Sequence, residues 1–345
     1  MRNLCVLCGK NKIITMRNNN IIDKIATGRL TVVLTLLAVV GLIAMRGLLF
    51  PNSIPTKENW GLFTHLFEGW ATKNTMRWTL DGAFVVLFAF LFNDADTRFN
   101  IIRVRTSLPF FIAGLLLATN SFLLGNVAES FNTLLLILAI SSLFSSYQQH
   151  RAEKQAFDIS LFLSLASLFW MKNIYLPPIF WMGMYMMKTL NWRSFAASLI
   201  GIVTPYWFAF FYFAYIEDYS PLLLHFASII DFQFFNLWNA PIFTWIHLGL
   251  TLLATLFSIG NIIFSSFTDK IRTRSYLNFL FILLLSSYAL FLLDFGRSGS
   301  SIYLIYLISA FLISHLFASV RGRFSTILFY TLFFTYILIY LWSLS

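Results

Sequence analysis

The chain has 345 residues, of which 59% are hydrophobic, 19% aromatic and only 11% charged, whereas charged residues make up about a quarter of a soluble domain. That balance excludes an ordinary soluble domain. A net charge of +10 raises the question of which loops carry the basic residues before it raises nucleic acid.

Apolar stretches of about 17 to 24 residues recur between polar clusters, the length a helix needs to cross roughly 30 Å of hydrocarbon. Segments of about ten residues with strict alternation, the mark of a membrane β-barrel, are missing. The expected fold class is therefore all-α, a polytopic transmembrane bundle of eleven spans. Residues 1–29 read as a basic cytoplasmic tail and residues 30–345 as one integral membrane domain.

Within the tail, Cys5 and Cys8 form a lone CxxC, which offers two of the four ligands a structural zinc needs. Because Met16 opens a second plausible start, residues 1–15 read as a mis-assigned start or a mobile tail. No secretory signal peptide is visible.

The first span is expected at Leu30–Phe50, followed by a long polar interruption, Pro51 to Leu80. A short second span, Leu80–Phe92, returns the chain to Arg98, Arg103 and Arg105. Spans follow at Leu108–Leu124, Phe131–Tyr147 and, as a hairpin with Pro177-Pro178 opening its second arm, Phe157–Met187. Span seven is Phe195–Ile216. After the second long interruption, Glu217 to Pro241, come Pro241–Phe264, Leu277–Leu293, Ile302–Ser319 and Thr326–Trp342.

In this arrangement eighteen Lys and Arg residues fall on the N-terminal side of the membrane and six on the other: Arg46, Lys57, Lys73, Arg77, Lys172 and Arg297. The bias predicts a cytoplasmic N-terminus and an outer C-terminus, with both long loops outside.

Leu62, Phe63, Leu66, Phe67 and Trp70 recur at helical spacing in the first loop, with His65 and Glu68 off that face, so the loop reads as a membrane-surface helix. In the second loop LLLHFASIIDFQFFNLW repeats the pattern around His225 and Asp231. Any chemistry is expected between these two loops. There is no P-loop, no GxGxxG, no HExxH and no GxSxG. Nearly every charge sits at a span end, which ranks an ion-coupled transporter last.

Two surface helices after spans one and seven resemble the architecture of the membrane glycosyltransferases of the C superfamily. The resemblance implies sugar transfer from a polyprenyl-phosphate donor at the outer face, with a divalent metal as a possible cofactor. By position it carries the base role to Glu58 and a second acid role to Glu129. It also implies lipid-phosphate or substrate contacts from Arg46, Arg77, Lys172, Arg297, His65 and His225. The acidic pair usual soon after span one is absent here, since Glu58 is single and late.

The run IYLPPIFWMGMYMMKTLNWRSFAASLIGIVTPYWFAFFYF, with PP, NWR and GxxTPY, is similar to an uncharacterised family of polytopic membrane proteins of Bacteroidota. That resemblance implies a bacterial inner membrane. Two readings stand: a glycosyltransferase acting on a lipid-linked sugar, and a non-catalytic scaffold or lipid-binding subunit of an envelope assembly. The partners expected are membrane lipids, a polyprenyl-phosphate sugar and envelope proteins, with no nucleic acid.

Overall fold

The computed structural model describes residues 29–49, 61–63, 74–102, 106–120, 123, 127–231, 242–265, 270–293, 300–319 and 323–344. They form twelve α-helices: α1 (Arg29–Leu49), α2 (Asn74–Phe99), α3 (Leu108–Thr119), α4 (Val127–Ser145), α5 (Glu153–Phe169), α6 (Pro177–Met186), α7 (Trp192–Ile216), α8 (Ser220–Ala227), α9 (Ile242–Ser265), α10 (Ile271–Leu293), α11 (Ser300–Ser319) and α12 (Arg323–Trp342). A 3-10 turn, Met171–Tyr175, joins α5 to α6.

Eight of these, α1, α2, α4, α7 and α9 to α12, are long and apolar enough to cross a membrane, consistent with a multi-pass membrane protein. Every expected span has a helix. However, α3, α5 and α6 have only 12, 17 and 10 residues, against about 20 for a full crossing.

Helix α11 is the centre, with 94% of its span buried and contacts to α2, α3, α4, α9 and α10. A helix that is apolar or hydroxylic all round has no face to give to solvent and is enclosed by others. By contrast α1 is peripheral and buries only the stripe Thr35, Val39, Ile43 and Arg46, spaced as one helix face.

Helix α2 corrects the expected second span at both ends. Asp81, Asp94 and Asp96 interrupt the apolar run, yet each is accommodated without ending the helix. Asp94 pairs with Arg98 at 2.7 Å across one turn, and Asp96 accepts the Ile102 N–H at 2.8 Å, closing the helix end where Asn100 takes a positive φ.

The most extensive contact in the bundle, α5 against α7, is built from small residues, as interfaces in lipid commonly are. Ser164 Oγ donates to the Ile202 carbonyl at 2.6 Å and the Ser167 and Tyr206 hydroxyls lie 2.5 Å apart. A Cβ on Gly201 would stand 2.6 Å from the Phe157 carbonyl oxygen, so only glycine permits this approach. The PP, NWR and GxxTPY elements thus have structural duties. The prolines start α6, Asn191 and Ser194 form the capping box of α7, and Gly201 and Tyr206 hold α7 to α5.

Gly201→Ala is expected to lower stability by about 1–3 kcal/mol through overpacking. Gly260→Ala on α9, where nothing lies within 4 Å, is expected to stay within about 0.5 kcal/mol. Thermal melts of the purified protein in one detergent check this, and equal melts would refute the close-approach account.

Candidate functional site

The first turns of α2, α4 and α11 meet at the end of the bundle that carries the two long loops. On α2 the side chains of Arg77, Asp81 and Phe88 share one stripe, leaving Arg77 2% and Asp81 0% exposed. Helix α4 contributes Glu129, half-buried in its first turn where the helix dipole favours a negative charge, and Ser130. From α11 comes Tyr303, whose ring packs edge-on against Phe88 at 5.9 Å.

The Tyr303 hydroxyl donates to the Leu123 carbonyl at 2.9 Å. Its single hydrogen is then used, so in the 3.1 Å contact with Ser130 the serine is the donor. Asp81 and Glu129 both act electrostatically on the same hydroxyl. Asp81 is an acid that the sequence pattern did not single out. Ionisable side chains buried inside an apolar helix bundle are functional candidates by default.

Arg46 and Arg77 lie at the same end. Arg46, 9% exposed, donates from Nη1 to Ser343 Oγ at 3.3 Å, next to Tyr340, which donates to the Leu42 carbonyl at 2.5 Å. Gly47, beside Arg46, would place a Cβ 3.0 Å from the Trp78 ring, so the ends of α1 and α2 touch.

The two long loops meet over the α5–α6 turn. The Leu62 N–H donates to the Leu168 carbonyl at 2.9 Å, and Leu62 packs with Leu168, Ala209, Phe213 and Leu222 of α8. Lys172, 3% exposed, donates from Nζ to the Asp231 carbonyl at 2.7 Å, and the Tyr175 hydroxyl to that of Ile229 at 3.0 Å. Asn173 joins the turn to α4 by donating to Asn132 Oδ1 at 2.9 Å.

His225 is buried on α8, 3% exposed, on the side of Leu222. At the start of α8 the Ser220 backbone N–H, 2.9 Å from Asp218, holds that carboxyl below its usual range, helped by the Ser220 hydroxyl. Lys172 is thus a loop anchor in this structure. Where both loops are described, their side chains touch.

Glu58, His65 and Arg297 lie outside the described residues, as do Cys5, Cys8 and most of the expected first surface helix. Among the described residues no three His, Cys, Asp or Glu side chains are grouped to hold a metal ion.

One cluster escaped the sequence. His247, 1% exposed, links three helices. Thr119 donates its hydrogen to the Leu115 carbonyl at 2.7 Å, so its 2.9 Å contact with His247 is donation from Nε2–H. Nδ1 then accepts the Tyr306 hydroxyl at 2.9 Å. Thr251 donates to the His247 carbonyl at 2.8 Å and accepts from Tyr336 at 3.0 Å. The available signal was His247, Thr251, Thr255 and Ser258, all on one face of an apolar helix.

No family model, no curated protein and no solved structure matches this chain.

Lys172→Met and Tyr175→Phe each remove one anchor of the segment after α8, a loss of about 0.5–1.5 kcal/mol for a typical hydrogen bond. Amide hydrogen exchange in α8 is expected to quicken roughly tenfold in the double variant. Unchanged exchange would mean that the turn does not hold the loop.

Proposed function

We propose that this chain is a multi-pass membrane enzyme that transfers a sugar from a polyprenyl-phosphate donor at the outer face of a bacterial inner membrane. The observation that carries the reading is two carboxylates, buried Asp81 and half-buried Glu129, within electrostatic reach of Tyr303, with Arg77 one turn further out on the Asp81 stripe. The charge bias of the loops, eighteen basic residues to six, supports reading that end of the bundle as the outer one.

In the proposed step Glu129, the more accessible acid, takes the proton of an acceptor hydroxyl. The acceptor oxygen bonds to the sugar's anomeric carbon as the bond from that carbon to the phosphate oxygen breaks. The electron pair leaves on the phosphate, where an arginine stabilises it. Asp81, deeper and fully buried, keeps the oxocarbenium-like sugar company as a fixed negative charge. Glu58 is the other candidate base.

A second reading, a non-catalytic scaffold, is favoured by one observation: Tyr303, Ser130 and the Leu123 carbonyl form a bonded knot between α4, α11 and Leu123, four residues before α4. The two readings part on the carboxylates.

Glu129→Gln and Asp81→Asn keep size and shape. Under the transferase reading each is expected to lower envelope glycan transfer by on the order of a hundredfold or more with protein abundance retained. Normal glycans in both variants would overturn the transferase and leave the scaffold.

A further inference from the structure

The same end of the bundle holds a second arrangement whose chemistry is one-sided. Four buried nitrogen atoms, Arg46 Nε, Arg77 Nε, Arg77 Nη2 and Trp78 Nε1, have no hydrogen-bond partner among the described residues. All four are donors and none can accept. Arg77 and Trp78 are 2% and 7% exposed, so water at the surface does not satisfy them. Asp81, the nearest acid on the Arg77 stripe, takes neither of these Arg77 hydrogens. Buried polar groups are satisfied in the great majority of cases, and a charged donor left bare is the costliest exception.

The donors are also held together. The Arg77 guanidinium carbon is 5.7 Å from the centre of the Trp78 ring, which sets the charge beside the indole. Gly47 lets the Trp78 ring press on the end of α1, since a Cβ there would approach it to 3.0 Å. This brings in Arg46, whose Nη1 is already tied to Ser343 and so holds the side chain in place.

We infer that the ends of α1 and α2 form a binding site for a phosphate group. Its oxygens accept from Arg77 and from the Trp78 N–H, and Arg46 adds the second positive charge. A phosphate supplies several acceptors and negative charge with no hydrogen to offer back, which is what this donor set lacks. Choline or ethanolamine headgroups alone bring a cation and leave the donors bare. The inference deepens the proposed transferase by naming the groups that hold the donor's phosphate, but it stands on binding geometry and does not need the carboxylates to be catalytic.

The test uses the full chain purified in neutral detergent, with bound lipid read by native mass spectrometry. Phosphatidic acid is the lipid-borne phosphate probe and inorganic phosphate the soluble one. The native chain is expected to retain phosphatidic acid, with retention falling about tenfold in Arg77→Gln and about threefold in Trp78→Phe, which keeps the ring and removes only the N–H. Displacement by inorganic phosphate would assign the site to phosphate from either source, and resistance to displacement to phosphate on a lipid.

Equal retention by the native chain and Trp78→Phe, with Arg77→Gln either equal or unfolded, would overturn the inference. Asp81→Asn and Glu129→Gln separate it from the proposed function. If they bind phosphatidic acid normally and leave glycans unchanged, the transferase falls and the phosphate site remains. If they abolish transfer while Arg77→Gln binds normally, the reverse holds.

Discussion

In hydrocarbon a polar group has no water to turn to, and this constraint organises α11 and everything around it. The helix is buried on all sides, yet it carries Tyr303, Tyr306 and several serines. Each tyrosine hydroxyl must find a partner on a neighbouring helix or in a connecting segment. Tyr303 therefore draws in Ser130 of α4 and the Leu123 carbonyl, while Tyr306 draws in His247 of α9. The hydroxyls thus set which helices lie next to α11 and at what height, more specifically than apolar packing in lipid can.

Counting hydrogens gives these contacts a direction, and the direction limits what they can do. Around His247 the donors run from Tyr306 through the imidazole to Thr119 and end on the Leu115 carbonyl. The neighbouring run goes from Tyr336 to Thr251 and ends on the His247 carbonyl. A chain that ends on a backbone carbonyl has no further hydrogen to hand on, so this arrangement registers helices and is not a proton wire. The carboxylate cluster differs in kind, because it places ionisable groups in an enclosure that a purely structural role would fill more cheaply with apolar ones.

Much of this was readable along the chain and some was not. Apolar length alone located the helices, because crossing a membrane demands it. It failed at α2, where Asp81, Asp94 and Asp96 looked like a boundary. A local pair satisfies Asp94 and a local cap Asp96, and hydropathy is blind to such local satisfaction. Arg77 and Glu129 could be named because charged residues on the expected outer side are few. Asp81 could not be singled out, since its importance lies in facing Tyr303, 222 positions away in number, and nothing local encodes that meeting. The contact of Leu62 with Leu222 is equally non-local. For Lys172 the charge count predicts a side of the membrane and is silent on the partner, which is a backbone carbonyl.

The two arginines and two carboxylates at this end also bear on whether one site could serve both proposals. Arg46, Arg77, Asp81 and Glu129 carry formal charges that cancel, so the four groups together are electrically balanced. A lipid phosphodiester donor brings one negative charge. In the proposed transfer Glu129 gains a proton and loses its charge, while the departing phosphate gains the charge that the acceptor's proton left behind. The total is the same before and after. In a low-dielectric enclosure a change in net charge is the expensive event, and moving charge from a carboxylate to a phosphate held by buried arginines avoids it. A site with the arginines and no acid would hold the product too well, and one with the acids and no arginine would repel the donor. Under the proposed transfer, arginines and acids at the ends of α1, α2 and α4 would let one site both bind the phosphate and receive the proton.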